Sequence, residues 1–213
     1  MSTGTGRGPY AKTAATKLRI IESCIEAFAE TGFYGTTMKD IARRAGISYT
    51  GLLHHFPKKE DLLLAVLELR AQRDEAFLAR TGGLNAASDP LGVLRGMLDI
   101  ARDNALRPGL LELHAVVSGE ATSSEHPAHG HYVVHYRNIR EFYAAAYSAL
   151  RERGLLESNA SPQVLAAMTV SLINGLQAQW LFDRDSVDMQ EGLRAFLAEI
   201  VPSLGSSLER EHT

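Results

Sequence analysis

Tyr49, Thr50 and His54 bring a phenol, a hydroxyl and an imidazole into one short stretch, Ser48 to Phe56, in which the apolar residues Leu52 and Phe56 fall four apart. On a helix that spacing turns Leu52 and Phe56 to a common core side and leaves the three polar groups on other faces. Such groups recognise a partner through hydrogen bonds and apolar contacts, as side chains do when they read base edges in a groove of duplex DNA.

The elements that must position them are legible on either side. Thr37 can cap a first helix, with Asp40 three positions on as the acidic partner of a capping box, and Ile41 and Ala42 supply its buried side. Gly46 ends that helix, because a tight turn between two crossing helices needs a residue that tolerates positive φ. Ser48 then caps a second helix. Helix, glycine turn and helix make a helix-turn-helix, which implies contact with duplex DNA.

Charge fits once it is divided along the chain. The 213 residues carry a formal net charge of −3. Residues 1 to 60 hold nine Lys/Arg against five Asp/Glu, whereas the rest hold thirteen against twenty. Phosphate attraction needs positive charge only at the contact surface, so a basic head on an acidic body suffices.

Other chemistries find less support. Cys24 is the only cysteine, which excludes an intrachain disulfide and a thiolate cluster, and its apolar neighbours suggest a buried, inert thiol. His114, His126, His129, His131 and His135 lie close in sequence to Glu112, Glu120 and Glu125, a donor set that suits zinc. The spacing is unspecific, and His126, His129 and His131 fall in an interruption, residues 118 to 131, where histidine is also ordinary solvated surface. No Gly-rich phosphate loop, nucleophile elbow, zinc-protease helix or recognisable carboxylate pair occurs, so neither an enzyme nor a bound cofactor or metal is expected.

Thr37, Ile41-Ala42, Ala45-Gly46-Ile47-Ser48, Leu52, His55-Phe56, Lys59-Glu60 and Leu62 together resemble the motif of the tetracycline-repressor (TetR) family of bacterial transcription regulators. The preceding segment, LRIIESCIEAFAETGFYGTT, is similar to that family's first helix and its exit. Leu53 departs from the pattern: it stands where the family often has a tyrosine that gives its hydroxyl to a phosphate, so that contact should be missing. The resemblance implies that Thr36, Thr37 and Lys39, with His54, His55 and Lys59, sit near phosphates. It places Ser48 at the same surface and turns Tyr49, Thr50 and Gly51 to base edges, Gly51 letting the backbone come close. His55 is expected to pack under the helix instead.

The rest of the chain reads as helices. Residues 1–15 are rich in Gly, Thr, Ser and Ala without hydrophobic period and suggest a disordered arm, whose Arg7 and Lys12 could reach DNA or form a plain solvated tail. Leu18, Ile21, Ile25 and Phe28 fall at helical spacing, and Asp61 to about Arg80 reads as a long helix carrying Leu62, Val66 and Leu69. Asp89-Pro90, Arg107-Pro108 and Ser161-Pro162 each place proline near a helix start. Tyr132, Tyr136, Tyr143 and Tyr147 lie within about 60° of one another on a helix running to Arg153. Sustained alternation is absent, so the chain is expected to be all-α, with about nine or ten helices: a helix-turn-helix domain of three helices at 16–60 and a larger helical domain at 61–213.

Two strongly apolar helices, about 162 to 183 and 188 to 204, close the chain. Their apolar residues exceed a single stripe, which predicts either a homodimer interface or an internal core. One helix-turn-helix buries little area, so dimers on half-sites of a palindromic operator are expected. The resemblance implies the same dimer and a small-molecule pocket in the body, with repression relieved by the ligand. Met97, Leu113, Val117, Tyr136, Tyr143 and Trp180 are pocket candidates, and Asn174 and Gln177 are amides that need a partner in ligand, second subunit or backbone. A constitutive DNA binder and a metal-responsive regulator are the alternatives. No uninterrupted apolar run approaches the roughly 20 residues that cross a bilayer, and the N-terminus lacks a secretory apolar centre, so a cytoplasmic protein without membrane contact is expected.

Overall fold

The computed structural model describes residues 9–81 and 85–204. Among these, the regular elements are nine α-helices: α1 Pro9–Gly35, α2 Met38–Arg44, α3 Tyr49–His55, α4 Lys59–Thr81, α5 Pro90–Ala105, α6 Pro108–Glu120, α7 His129–Glu152, α8 Pro162–Phe182 and α9 Met189–Ile200. The three prolines expected at helix starts are the first residues of α5, α6 and α8. Asp89 and Ser161 cap α5 and α8 by accepting the amides of Gly92 and Val164.

Helix α1 begins well before the expected end of the arm, so residues 9–15 are helical rather than irregular; residues 1–8, Arg7 among them, lie outside the described residues. Ile25 and Phe28 are buried as expected, together with Ile20, Cys24 and Ala27, while Ile21 is half-buried and Leu18 is exposed. Cys24 and Ala27 share the buried side with the larger residues, and a periodicity read from large side chains alone does not show them.

Two compact units make up the chain. One is built from the N-terminal residues through Arg70 together with Glu112–His129, the other from Ala71–Leu111 and the residues from Gly130 onward. The chain passes from one unit to the other at three points, and α4 and α6 each contribute to both units. The second unit centres on Leu94, Met97 and Leu98 of α5, Tyr143, Tyr147 and Leu150 of α7, Leu165 and Val170 of α8, and Leu193 and Leu197 of α9.

Helix α8 corrects one expectation. Its 21 residues contain no Asp, Glu, Lys or Arg, and by length and composition it is apolar enough to cross a membrane. It nevertheless buries Leu165, Ala166, Thr169, Val170, Gln177 and Trp180 within its unit. The Thr169 and Tyr147 hydroxyls bond at 2.7 Å, and Thr169 also donates to the Leu165 carbonyl at 2.8 Å. These satisfied polar groups identify one side of α8 as protein core. Val164, Met168 and Phe182 leave apolar surface exposed elsewhere on the helix.

Candidate nucleic-acid interface and effector cavity

Helix α2 starts where the Thr37 hydroxyl accepts the Asp40 amide at 3.2 Å. Asp40 does not return the bond; its carboxylate takes the guanidinium of Arg43 and, at 2.8 Å, that of Arg44. Arg44 also reaches Glu30 of α1, at 2.9 Å through Nη1, and so ties α2 to α1. The Arg44 bond holds the Glu30 carboxyl below its usual range, and Arg43 followed by Arg44 does the same for Asp40. Gly46 then turns the chain with φ 65, as the sequence requires.

Ser48 caps α3 by accepting the Gly51 amide at 3.0 Å. A Cβ on Gly51 would stand 3.1 Å from the Ser48 hydroxyl oxygen, so glycine here protects the cap as well as opening the surface. Leu52 is fully buried and Phe56 nearly so, which fixes the rotation of the helix. Tyr49, Thr50 and His54 are exposed on its other faces, and Leu53 and His55 are half-buried. Thr37 and Lys39 are exposed at the start of α2, and Ser48 at the start of α3.

Two residues expected near phosphates are turned inward. Thr36 is buried, its hydroxyl bonded to the carbonyls of Ala27 at 3.0 Å and Gly32 at 2.7 Å. Lys59 donates through Nζ to the carbonyls of Phe33 at 2.7 Å and Thr36 at 2.9 Å and stands 4.3 Å from the centre of the Phe33 ring. Burial lowers its ammonium pKa. The cause is local: where α1 ends, its last carbonyls need donors, and Lys59 at the start of α4 is in reach. The neighbouring Lys58 is the exposed member of the pair. A Lys-Lys dipeptide does not disclose which of its two chains turns outward.

Glu120 and His126 belong to the same unit, which sequence reasoning missed. The Phe33 amide donates to Glu120 Oε2 at 2.8 Å, and the His126 ring lies edge-on to Phe33 and Tyr34. His126, expected on a solvated loop, is 2% exposed. The partners are 87 residues apart in sequence, and no periodic pattern links them.

The effector candidates are divided between the two units. Met97 and Tyr143 are core residues, Leu113 and Val117 are buried in the unit that contains the helix-turn-helix, and Gln177 is buried in α8. Asn174 finds its partner in the Tyr136 hydroxyl at 3.1 Å. Trp180 alone of the candidates lines a described cavity, of about 420 Å³, with Ala101, Ala105, Met189, Arg102 and Arg184. The Arg184 guanidinium stands 4.9 Å from the Trp180 ring. Among the described residues no three His, Cys, Asp or Glu side chains come together to hold a metal ion. His131 and His135 stack, while His129 pairs with the Ala121 carbonyl at 2.9 Å.

Residues 20–66 match the family described as bacterial regulatory proteins, tetR family. The HTH-type transcriptional regulator RutR of Escherichia coli is 35% identical over 94 residues, which covers 42% of this chain and 43% of that protein. The chain thus spans less than half the length of this relative. The regulator TtgR of Pseudomonas putida is 26% identical over 184 residues, covering 82% of this chain and 84% of that protein. The complex with triclosan of SmeT, the repressor of the Stenotrophomonas maltophilia efflux pump SmeDEF, shares the fold with a TM-score of 0.71 at 20% identity, covering 88% of this chain and 92% of that one.

Proposed function

We propose that this chain, which belongs to the TetR family of bacterial transcription regulators, is a cytoplasmic repressor that binds a palindromic operator as a homodimer and leaves it when a small molecule enters the body. The observation that carries the reading is the face of α3. Leu52 and Phe56 lock the helix to its unit, and Tyr49 and Thr50 stand exposed beside the bare backbone of Gly51. Exposed Lys39 and Lys58 flank that face with mobile positive charge suited to phosphate. Thr37, Ser48 and His54 complete the proposed DNA surface, and Thr36 and Lys59 support it from within.

For the effector, the cavity at Trp180 offers an aromatic wall beside two guanidinium groups. A ligand there must prefer the state that does not bind DNA, since only differential affinity shifts an equilibrium. The homodimer is assigned to the two C-terminal helices, where α8 has exposed apolar side chains to bury.

The test is titration of the purified protein with duplexes drawn from the DNA around its own gene, at several salt concentrations. Lys39→Ala should weaken all sequences alike and lower the salt slope by about one. Thr50→Ala should change preference at one base position by about 1–3 kcal/mol. Salt-dependent binding that neither substitution alters would reject this surface, and a small-molecule screen for release of the bound duplex tests the effector.

A further inference from the structure

Phe33 is held at both ends of its backbone by opposite charges. Its amide donates to the Glu120 carboxylate at 2.8 Å, and its carbonyl accepts from the Lys59 ammonium at 2.7 Å. The same ammonium takes the Thr36 carbonyl at 2.9 Å, one residue before the Thr37 cap of α2. Just ahead, Gly32 breaks the helical path with φ 72 and ψ 179. A Cβ on Gly32 would stand 2.2 Å from Glu120 Oε1, so the carboxylate occupies space that only glycine leaves.

His126 lies against this clamp. Its Nδ1 accepts the Ala128 amide at 3.1 Å, so the neutral ring carries its proton on Nε2. That nitrogen is buried without a hydrogen bond and faces Glu120 Oε2 at 3.6 Å. A second proton must enter at Nδ1, where it displaces the Ala128 bond and leaves an imidazolium that competes with Phe33 for the carboxylate. The groups that bear on it are Glu120 of α6, which favours the proton, the Phe33 and Tyr34 rings of α1, and, beyond Phe33, the Lys59 ammonium of α4.

We infer that Glu120 is a positioning residue for DNA binding, its carboxylate fixing the Gly32–Thr36 hook that sets where α2 begins, and that protonation of His126 loosens this clamp. The inference rests on the DNA-binding reading above and adds a pH dependence to it. Burial lowers the His126 pKa against the pull of Glu120. The clamp is therefore intact at and above the ordinary imidazole value and is lost as pH falls on through the lowered one.

The experiment uses the full chain and a duplex that the wild-type protein selects from a random-sequence pool. Glu120→Ala should lose about tenfold in affinity or more, the scale of one hydrogen bond to a charged group, and should also lose exchange protection at the Phe33 amide. Glu120→Gln, whose amide oxygen can still accept that bond, should recover most of both, and it decides the matter if the alanine variant does not fold. His126→Asn keeps an acceptor for Ala128 but does not titrate. Because every other pH effect acts on both proteins alike, the readout is a ratio: wild-type affinity relative to His126→Asn should fall from about pH 7.5 to about 5.5. Unchanged affinity and Phe33 protection in Glu120→Ala would overturn the positioning role, and a ratio independent of pH would overturn the switch. Failure to select any duplex would remove the DNA-binding reading, while Phe33 exchange would still decide whether the clamp exists.

Discussion

A methyl group on Gly32 meets two separate obstacles. With φ 72 and ψ 179 the backbone lies in a region that disfavours any side chain, by about 1–3 kcal/mol. The new Cβ would also displace the Glu120 carboxylate and release the Phe33 amide, a loss of about 1–3 kcal/mol for a hydrogen bond to a charged group. Gly32→Ala should therefore destabilise the chain to urea by more than backbone strain alone. Because it removes the same contact as Glu120→Ala, the double variant should fall short of the sum of the two. Additive losses would show that the glycine and the carboxylate act independently. Cys24 is a contrasting residue: burial pushes its thiol well above the ordinary value, so alkylating reagents should leave it unmodified until the unit unfolds.

At the scale of elements, α3 has only seven residues and cannot persist by propensity. It is held at its start by the Ser48 cap and along one side by Leu52 and Phe56. Ser48→Ala should cost about 0.5–2 kcal/mol of stability in denaturant melts, the usual range for a lost cap. DNA affinity should fall with it, since the freed Gly51 amide lies on the proposed recognition face, and stability equal to wild type would show that the cap is redundant. These devices were legible in the sequence because each is local: Thr37 and Ser48 stand one residue before their helices, Gly46 sits at the turn, and proline opens α5, α6 and α8. Whatever depends on distant partners was not legible. Nothing near Lys59 announces that the carbonyls of Phe33 and Thr36 will claim it, and nothing near His126 announces the rings of Phe33 and Tyr34. The Trp180 cavity was found only in part, because plain apolar spacing does not separate the residues that fill a core from those that line a hollow.

For the whole molecule, the open matter is how α8 covers its second apolar side. Val164 is 50%, Met168 49% and Phe182 93% exposed, and Ser171, Gly175 and Ala178 lie between the ends of this stripe without a charge. From Val164 to Phe182 the stripe runs about 27 Å, at about 1.5 Å per residue. Exposed apolar surface on that scale is normally an interface, and an isologous pairing of the C-terminal helices would bury it. In α9, Leu193 and Leu197 are already in the core, so α8 brings the larger uncovered share. Met168→Asp tests this, because a carboxylate costs little at a half-exposed position of a single chain but several kcal/mol when buried unpaired against a second copy. We expect the substitution to leave helicity intact, to reduce the mass by light scattering from twice the 23.2 kDa chain to once, and to abolish tight binding to a palindromic duplex. Val134→Asp, on the exposed side of α7, should leave both mass and binding unchanged. A Met168→Asp protein that stays dimeric, or a Val134→Asp protein that dissociates, would move the interface away from the C-terminal pair and on to a different face of the unit.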